Sequence, residues 1–361
     1  MAQFKGIRWT PKQMQYLLSD KKVQILPADA TGPVVSKSMH YGIFLAFEGI
    51  RFFCHINKNG KPELVFLNWD KNLERFRKGI AFNLSQEQQT LLPTANELIE
   101  MFLNYFRDPA MVTFLKEMAA SRAQGYLRPF TMDEEQSIGV TFSGKPSIRA
   151  IACSYDSYLG EPFNGVVIPH LVRTIGINGT GCLKLGVNYL MSVKAIEAAQ
   201  KILPGAAAAL FLDDNYFQPA INRKITEWDS SCCLIALKDG TVIKIPESNL
   251  ILPSITILGV VALLRQKGIN VIERDFTYGE LLERTRNSEI VTVCSIGTAG
   301  IINRCQKLVM TAPENLALIE HNPIQSHELY PLLGEMKELY WKLYLEDIDL
   351  PEGMQIDKYE I

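Results

Sequence analysis

Hydrophobic residues follow two different spacings along the chain, and these spacings predict both strands and helices. Residues 51–56 (RFFCHI) and 63–67 (ELVFL) are short apolar runs on either side of the turn KNGK, which predicts a β-hairpin. Residues 71–82 and 96–106 place apolar side chains three and four positions apart, which predicts two helices. Residues 147–155 (SIRAIACSY) predict a further strand.

The second half of the chain shows the same mixture of spacings. Apolar residues recur at helical spacing from Leu190 to Leu203, and Asn188 is the predicted cap of a helix beginning at Tyr189. Strands are also predicted at 206–212, 232–237, 241–245 and 269–276, and residues 289–302 predict a strand that runs into a Gly-Thr turn. Helices are predicted at 255–268, 278–287 and 326–346. The mixture predicts the α+β (mixed α/β) fold class.

One stretch has the composition of a linker. Residues 156–165 (DSYLGEPFNG) contain two glycines and a proline. A chain of 361 residues exceeds the roughly 150 residues of an average domain, so two domains are expected. The predicted division is a smaller N-terminal α/β domain at 1–155, the linker at 156–165 and a larger C-terminal domain at 166–361.

Composition and charge exclude several classes of partner. The chain is 47% hydrophobic and 21% charged, as in an ordinary globular protein, and its net charge of −2 gives no basis for binding nucleic acid or an anionic membrane. The longest apolar run, 250–264, is shorter than the ~20 residues of a membrane-spanning helix. The start of the chain lacks the apolar stretch of a signal peptide, which predicts a cytoplasmic protein. Neither the seven cysteines nor the five histidines have the spacing of metal ligands, so no metal is expected.

A lysine among glycines and apolar residues is the first candidate for chemistry. Lys184 lies in GINGTGCLKLGVNYL (176–190). A phosphate-binding P-loop is excluded, because Cys182 follows Gly181 and no Ser or Thr follows Lys184. Two interpretations remain, a solvated loop lysine and a reactive amine able to form a Schiff base.

Seven short motifs, in order along the chain, resemble one family. They are HYG…FEGIR (40–51), N…LERF (72–76), GYLRP (125–129), KLGVNY (184–189), ITE (225–227), ILPSIT (251–256) and SIGTAG (295–300). Their order and spacing resemble the branched-chain aminotransferases, which are class-IV pyridoxal-phosphate enzymes. The resemblance implies a two-domain fold of the D-amino-acid-aminotransferase type, with the cofactor pyridoxal 5′-phosphate at the domain interface and bound mainly by the C-terminal domain. It also implies a homodimer.

The resemblance assigns a role to each matching residue. Lys184 would form the Schiff base with the cofactor and act as the general base. Arg75 would bind the phosphate, Tyr189 the phenolic oxygen and Glu227 the pyridine nitrogen. Further phosphate contacts are expected at Ile255, Thr256 and Thr298. The expected substrate-binding residues are Tyr41, Phe47, Gly49, Tyr126, Arg128, Val140, Tyr158 and Ala299, with Tyr41 and Val140 reaching in from the second subunit.

The implied activity is transamination by a ping-pong mechanism between a branched-chain or other hydrophobic amino acid and 2-oxoglutarate. Two alternatives stay open, a lyase resembling aminodeoxychorismate lyase and a degenerate homologue without activity. The chain departs from the family pattern at Ile257, Asp229 and Cys232. These departures touch the predicted substrate environment and spare Lys184, Arg75 and Glu227.

Overall fold

The computed structural model describes residues 4–158, 162–174 and 179–361. The described residues form two compact units. The first unit comprises residues 4–157, 183–187 and 355–361, and the second comprises residues 158–182 and 188–354. Lys184 is therefore part of the first unit. The predicted domain boundaries stay a prediction, because they concern how the chain divides into independent domains.

The first unit contains an antiparallel sheet. Strands are numbered along the whole chain, and those of this unit are β1 (Phe4–Lys5), β2 (Arg8–Trp9), β3 (Lys12–Leu17), β4 (Lys22–Pro27), β5 (Ile50–Ile56), β6 (Pro62–Leu67), β7 (Gln124–Asp133), β8 (Pro146–Tyr155) and β19 (Ile356–Glu360). The order in the sheet is β19-β6-β5-β7-β8-β3-β4, and β2 pairs with β8. The predicted hairpin is confirmed, since β5 pairs antiparallel with β6.

Helices also belong to the first unit. They are α1 (Lys37–Tyr41), α2 (Trp69–Phe82), α3 (Gln86–Gln89), α4 (Ala95–Phe106) and α5 (Pro109–Ser121). The start of α4 is fixed by a capping box, in which Thr94 and Glu97 each satisfy the other's backbone N–H. Phe76, Phe102 and Leu115 pack with the sheet residues in one core. The predicted helices at 71–82 and 96–106 are confirmed as α2 and α4.

The second unit contains a mixed sheet with helices. Its strands are β10 (Phe163–Ile168), β11 (Ala208–Leu212), β12 (Ile225–Trp228), β13 (Cys232–Leu237), β14 (Val242–Lys244), β15 (Val271–Glu273), β16 (Ile290–Gly297), β17 (Ile301–Thr311) and β18 (Leu318–His321), and β9 (Ser157–Tyr158) lies at the junction of the units. Its helices are α6 (Leu190–Ile202), α7 (Ile255–Gln266), α8 (Tyr278–Arg286) and α9 (Leu329–Leu345). The strand order is β12-β11-β10-β17-β16-β13-β14-β15, and β18 pairs with β17. The strands and helices predicted for this half are confirmed, with shorter bounds at several ends.

One predicted cap is wrong. Asn188 lies inside a 3-10 helix, Gly186–Tyr189, and α6 begins at Leu190 with Tyr189 as its N-cap. The side chain of Asn188 is buried, donates to the Thr180 carbonyl at 2.7 Å and accepts from the Thr180 hydroxyl at 2.8 Å. The amide is therefore used to fix the loop before α6 and not the start of that helix.

Within the described part of the chain, no helix combines the length and apolar character needed to cross a membrane.

Candidate active site

The segment that carries Lys184 is hydrogen-bonded to the FEG segment of the first unit. The Phe47 N–H donates to the Lys184 carbonyl at 3.0 Å, and Ala46 forms an antiparallel bridge with Leu185. The Lys184 ammonium nitrogen lies 5.0 Å from the centre of the Phe47 ring, within the range of a cation–π contact. Lys184 is partly buried. The solvated-lysine interpretation is therefore disfavoured, since both backbone and side chain have defined contacts.

A buried ion pair lies in the same unit. Glu48 is fully buried, and its carboxylate accepts from Arg75 Nε at 2.8 Å and from Arg75 Nη2 at 2.5 Å. The Gly49 N–H donates to the same carboxylate at 2.8 Å. Burial alone would raise the pKa of Glu48, but the charge and hydrogen bonds of Arg75, the charge of Lys184 and the Gly49 N–H hold that pKa below its ordinary value. Glu48 was not predicted as a site residue.

Four predicted substrate residues come together beside these groups. Tyr126 and Arg128 lie on the same face of β7, and Arg128 Nη2 donates to the Tyr126 hydroxyl at 2.6 Å. The Arg128 guanidinium lies 4.7 Å from the centre of the Phe47 ring. A Cβ atom at Gly49 would approach the Tyr126 hydroxyl to 2.1 Å, so any larger residue there would displace the Tyr126 side chain. Their role in substrate binding stays a prediction.

The residues predicted to serve a second subunit are exposed. Tyr41 is 46% exposed and Val140 is 80% exposed. The segments that carry them are joined, because the Ser137 N–H donates to the Val35 carbonyl at 3.2 Å. Five further apolar side chains on these two segments are exposed, namely Val34, Val35, Met39, Ile138 and Phe142.

A second buried ion pair lies in the second unit. Glu227, on β12, pairs with Arg173, and both side chains are at least nine-tenths buried. Arg173 also donates to the carbonyls of Gly181 at 3.1 Å and Leu250 at 3.4 Å, and its guanidinium lies 5.9 Å from the Tyr189 ring centre. Sequence reasoning missed Arg173, because its position close behind the apolar run VVIPHLV gave only a weak signal.

The predicted phosphate contacts of the second unit lie at a helix start and a turn. Ser254 caps α7 by accepting from the Ile257 N–H at 3.3 Å, and Ile255 and Thr256 are the first two residues of that helix. Backbone N–H groups in the first turn of a helix lack partners within the helix and attract anions. Thr298 and Ala299 lie in the turn between β16 and β17. The side chain of Tyr158 and residues 175–178 lie outside the described part.

The residues present fit pyridoxal phosphate by their chemistry. A buried guanidinium, a helix start and a Thr-containing turn suit a phosphate. An amine suits an aldehyde, and a buried carboxylate suits a protonated ring nitrogen. The enclosure of Glu227 by Arg173 and by the Leu252 N–H, which donates at 3.2 Å, keeps that carboxylate in one orientation.

The chain is similar in sequence to two aminotransferases of Bacillus subtilis. No known protein-family profile matches the chain. Branched-chain-amino-acid aminotransferase 2 of Bacillus subtilis (strain 168) is 27% identical over 327 residues, which are 89% of this chain and 79% of that protein. Branched-chain-amino-acid transaminase 1 of the same organism is 26% identical over 271 residues, which are 74% of this chain and 70% of that protein.

The fold of the chain is also similar to that of solved branched-chain aminotransferase structures. The branched-chain aminotransferase of the thermophilic archaeon Thermoproteus uzoniensis, solved with norvaline, superposes with a TM-score of 0.67 at 20% identity, covering 94% of this chain and 96% of that one. Another branched-chain amino acid aminotransferase, complexed with N-(5′-phosphopyridoxyl)-L-glutamate, superposes with a TM-score of 0.67 at 19% identity, covering 96% of this chain and 99% of that one. The resemblance that the seven motifs predicted is thus confirmed, and the chain is a homologue of the branched-chain-amino-acid aminotransferases that shares their fold.

Proposed function

We propose that the protein is a pyridoxal-phosphate-dependent aminotransferase that moves an amino group between a branched-chain or other hydrophobic amino acid and 2-oxoglutarate. One observation carries the proposal. In a chain with the aminotransferase fold, Lys184 is held by backbone contacts to the same segment that buries the Glu48–Arg75 pair. The relatives reported above carry aminotransferase names, so the lyase and the degenerate homologue are not favoured.

We propose that both groups of residues serve one cofactor. In the first unit, Lys184 binds the cofactor covalently and Arg75 binds its phosphate. In the second, Tyr189 and Glu227 bind the ring. Phosphate contacts from backbone N–H groups come from Ile255, Thr256 and Thr298. The bound cofactor would supply an electron sink, and the Lys184 amine would move the proton at the substrate Cα.

The substrate proposal rests on the contacts around Phe47. Tyr126 and Arg128 form a hydrogen-bonded pair suited to a carboxylate, and Phe47 offers the apolar face beside them. Ala299 would add backbone contacts. A hydrophobic side chain and the distal carboxylate of 2-oxoglutarate would then be accepted in turn, with Arg128 reorienting between the two.

We further propose a cytoplasmic homodimer. The exposed apolar side chains around Tyr41 and Val140 are numerous for a free surface, which supports burial against a second copy. All seven cysteines are free thiols and six are buried, as expected in a reducing compartment. If light scattering finds a monomer and an activity assay finds that this monomer is fully active, the shared site is rejected.

An amino-donor panel tests the function. Protein loaded with pyridoxal phosphate is mixed with single amino acids, and its visible absorbance and the 2-oxo acid formed are followed. Leucine, isoleucine, valine and glutamate are expected to change the spectrum and to release the matching 2-oxo acid. A response to D-alanine alone would reject the substrate class. Irreversible release of pyruvate from added aminodeoxychorismate, with no response to the amino acids, would favour a lyase. No response of loaded protein to either would favour a degenerate homologue.

A further inference from the structure

The buried carboxylate of Glu48 has no part in the function proposed above. It accepts three hydrogen bonds, two from Arg75 and one from the Gly49 N–H, and it is fully enclosed by protein. A buried charge of this kind is tolerated only when its partners are well placed. The hydrogen bonds of the Glu48 carboxylate therefore restrict the position of the Arg75 guanidinium as much as that of Glu48.

We propose that Glu48 is a positioning residue, which fixes the Arg75 guanidinium in the orientation that binds the cofactor phosphate. The inference rests on the proposed function, in which Arg75 is the phosphate ligand. Glu48 touches neither cofactor nor substrate in this account and acts through Arg75 alone.

The contact geometry supports an orienting role. Glu48 engages Nε and Nη2, which form one edge of the guanidinium. A planar guanidinium held at one edge by two hydrogen bonds cannot rotate, so the direction of its other N–H groups is fixed. Arg75 lies on α2, whose Phe76 and Leu73 are fully enclosed in the core, so its Cα is also held.

The backbone around Glu48 links this orientation to Lys184. The Glu48 N–H donates to the Pro129 carbonyl at 2.9 Å, and the neighbouring Phe47 N–H donates to the Lys184 carbonyl at 3.0 Å. The segment is thus bonded on one side to β7 and on the other to residues 183–185, which we call the lysine loop. One short segment sets the places of both the phosphate-binding cation and the reactive amine.

Orientation and charge predict opposite outcomes for Glu48→Gln. The substitution removes a negative charge beside a cation meant for phosphate, so charge alone would strengthen phosphate binding. Its amide NH2 would also face an N–H of Arg75, so one of the two hydrogen bonds is lost and the guanidinium is released. The positioning role therefore predicts weaker phosphate binding in spite of the more favourable charge.

The experiment compares pyridoxal phosphate with pyridoxal, which lacks the phosphate. Full-length chain freed of cofactor is titrated with each compound, and the ratio of the two affinities reports on the phosphate contacts alone. Glu48→Gln is expected to lower this ratio about ten- to a hundredfold, as Arg75→Ala does. The double variant should lower it no further than Arg75→Ala. Glu48→Asp, which restores the carboxylate, should recover part of the loss.

A matched control comes from another buried pair of the first unit. Glu134 accepts from Arg149 Nε at 2.6 Å and from Nη2 at 2.9 Å, and neither residue is predicted to bind the cofactor. Glu134→Gln should leave the affinity ratio unchanged, although it can lower the melting temperature. This separates a general effect of breaking a buried pair from an effect on phosphate binding.

The possible results are distinct. An unchanged or increased ratio in Glu48→Gln overturns the positioning role, as does an equal loss of affinity for both compounds. If Glu48→Gln fails to fold, Glu48→Asp and its double variant with Arg75→Ala carry the same comparison. Failure of the wild-type chain to prefer pyridoxal phosphate over pyridoxal would instead reject the proposed function.

Discussion

Removing the positive charge of Arg173 should destabilise the second unit severely. In Arg173→Met the buried Glu227 carboxylate keeps the Leu252 N–H but loses its cation, and the carbonyls of Gly181 and Leu250 lose a donor. Breaking one side of a buried ion pair costs about 3–5 kcal/mol, because the remaining charge stays desolvated. Both side chains are at least nine-tenths buried, so solvent gives little compensation.

Calorimetry of the cofactor-free chain measures this loss without a contribution from ligand binding. At about 2–4 °C per kcal/mol for a unit of this size, the melting temperature should fall by roughly 6–20 °C. Lys201→Met is the control, because it breaks an exposed pair with Glu197 and should cause no measurable change. The double variant Arg173→Met/Glu227→Leu removes both charges and should recover much of the stability. A fall of less than about 1 kcal/mol in Arg173→Met would refute the reasoning, since solvent or another group would then replace the guanidinium.

Three further outcomes are expected. Glu227→Gln should leave pyridoxal-phosphate affinity nearly unchanged and slow transamination, because the ring nitrogen loses its anionic partner; full activity in single-turnover measurements would remove Glu227 from the site. Phe47→Leu deletes the ring that contacts Arg128 and Lys184, and each of these cation–π contacts is worth about 0.5–2 kcal/mol. The KM for 2-oxoglutarate should therefore rise several-fold, and an unchanged KM would count against the substrate proposal. Burial raises the pKa of Asp229 to about 6, so its carboxyl binds a proton more tightly in the folded chain, and stability falls as pH rises from about 4 through 6. Asp229→Asn should therefore be more stable than wild type at pH 8 and not at pH 4. If variant and wild type unfold at the same urea concentration at pH 8 as well as at pH 4, the prediction is contradicted.

Local elements of the fold were predictable because their signals lie within the element. The β5–β6 hairpin was visible from two apolar runs around a glycine turn, and the pattern of α4 from its amphipathic spacing. The β3–β4 hairpin was missed, because its turn contains no glycine and uses Lys21 at a φ of 51° instead. The start of α5 was also missed, although Asp108 and Pro109 form a typical N-cap pair.

Long-range pairings were not predictable from patterns. Strand β19 pairs with β6, although most of the chain separates them, and the lysine loop pairs with residues near Phe47. Sequence resemblance identified Lys184, Arg75 and Glu227 as candidates. It could not show that each of the last two is held by a buried partner of opposite charge, because the sequence does not reveal which charges meet.

Covalent labelling of Lys184 tests the central proposal most directly. Protein loaded with pyridoxal phosphate is reduced with borohydride and digested, and the labelled peptide is mapped by mass spectrometry, with Lys184→Ala as the control. The account predicts one cofactor per chain attached to Lys184, and in Lys184→Ala it predicts retained non-covalent binding with no label and no turnover. A label on another lysine, or no label in fully loaded wild-type protein, would contradict the account.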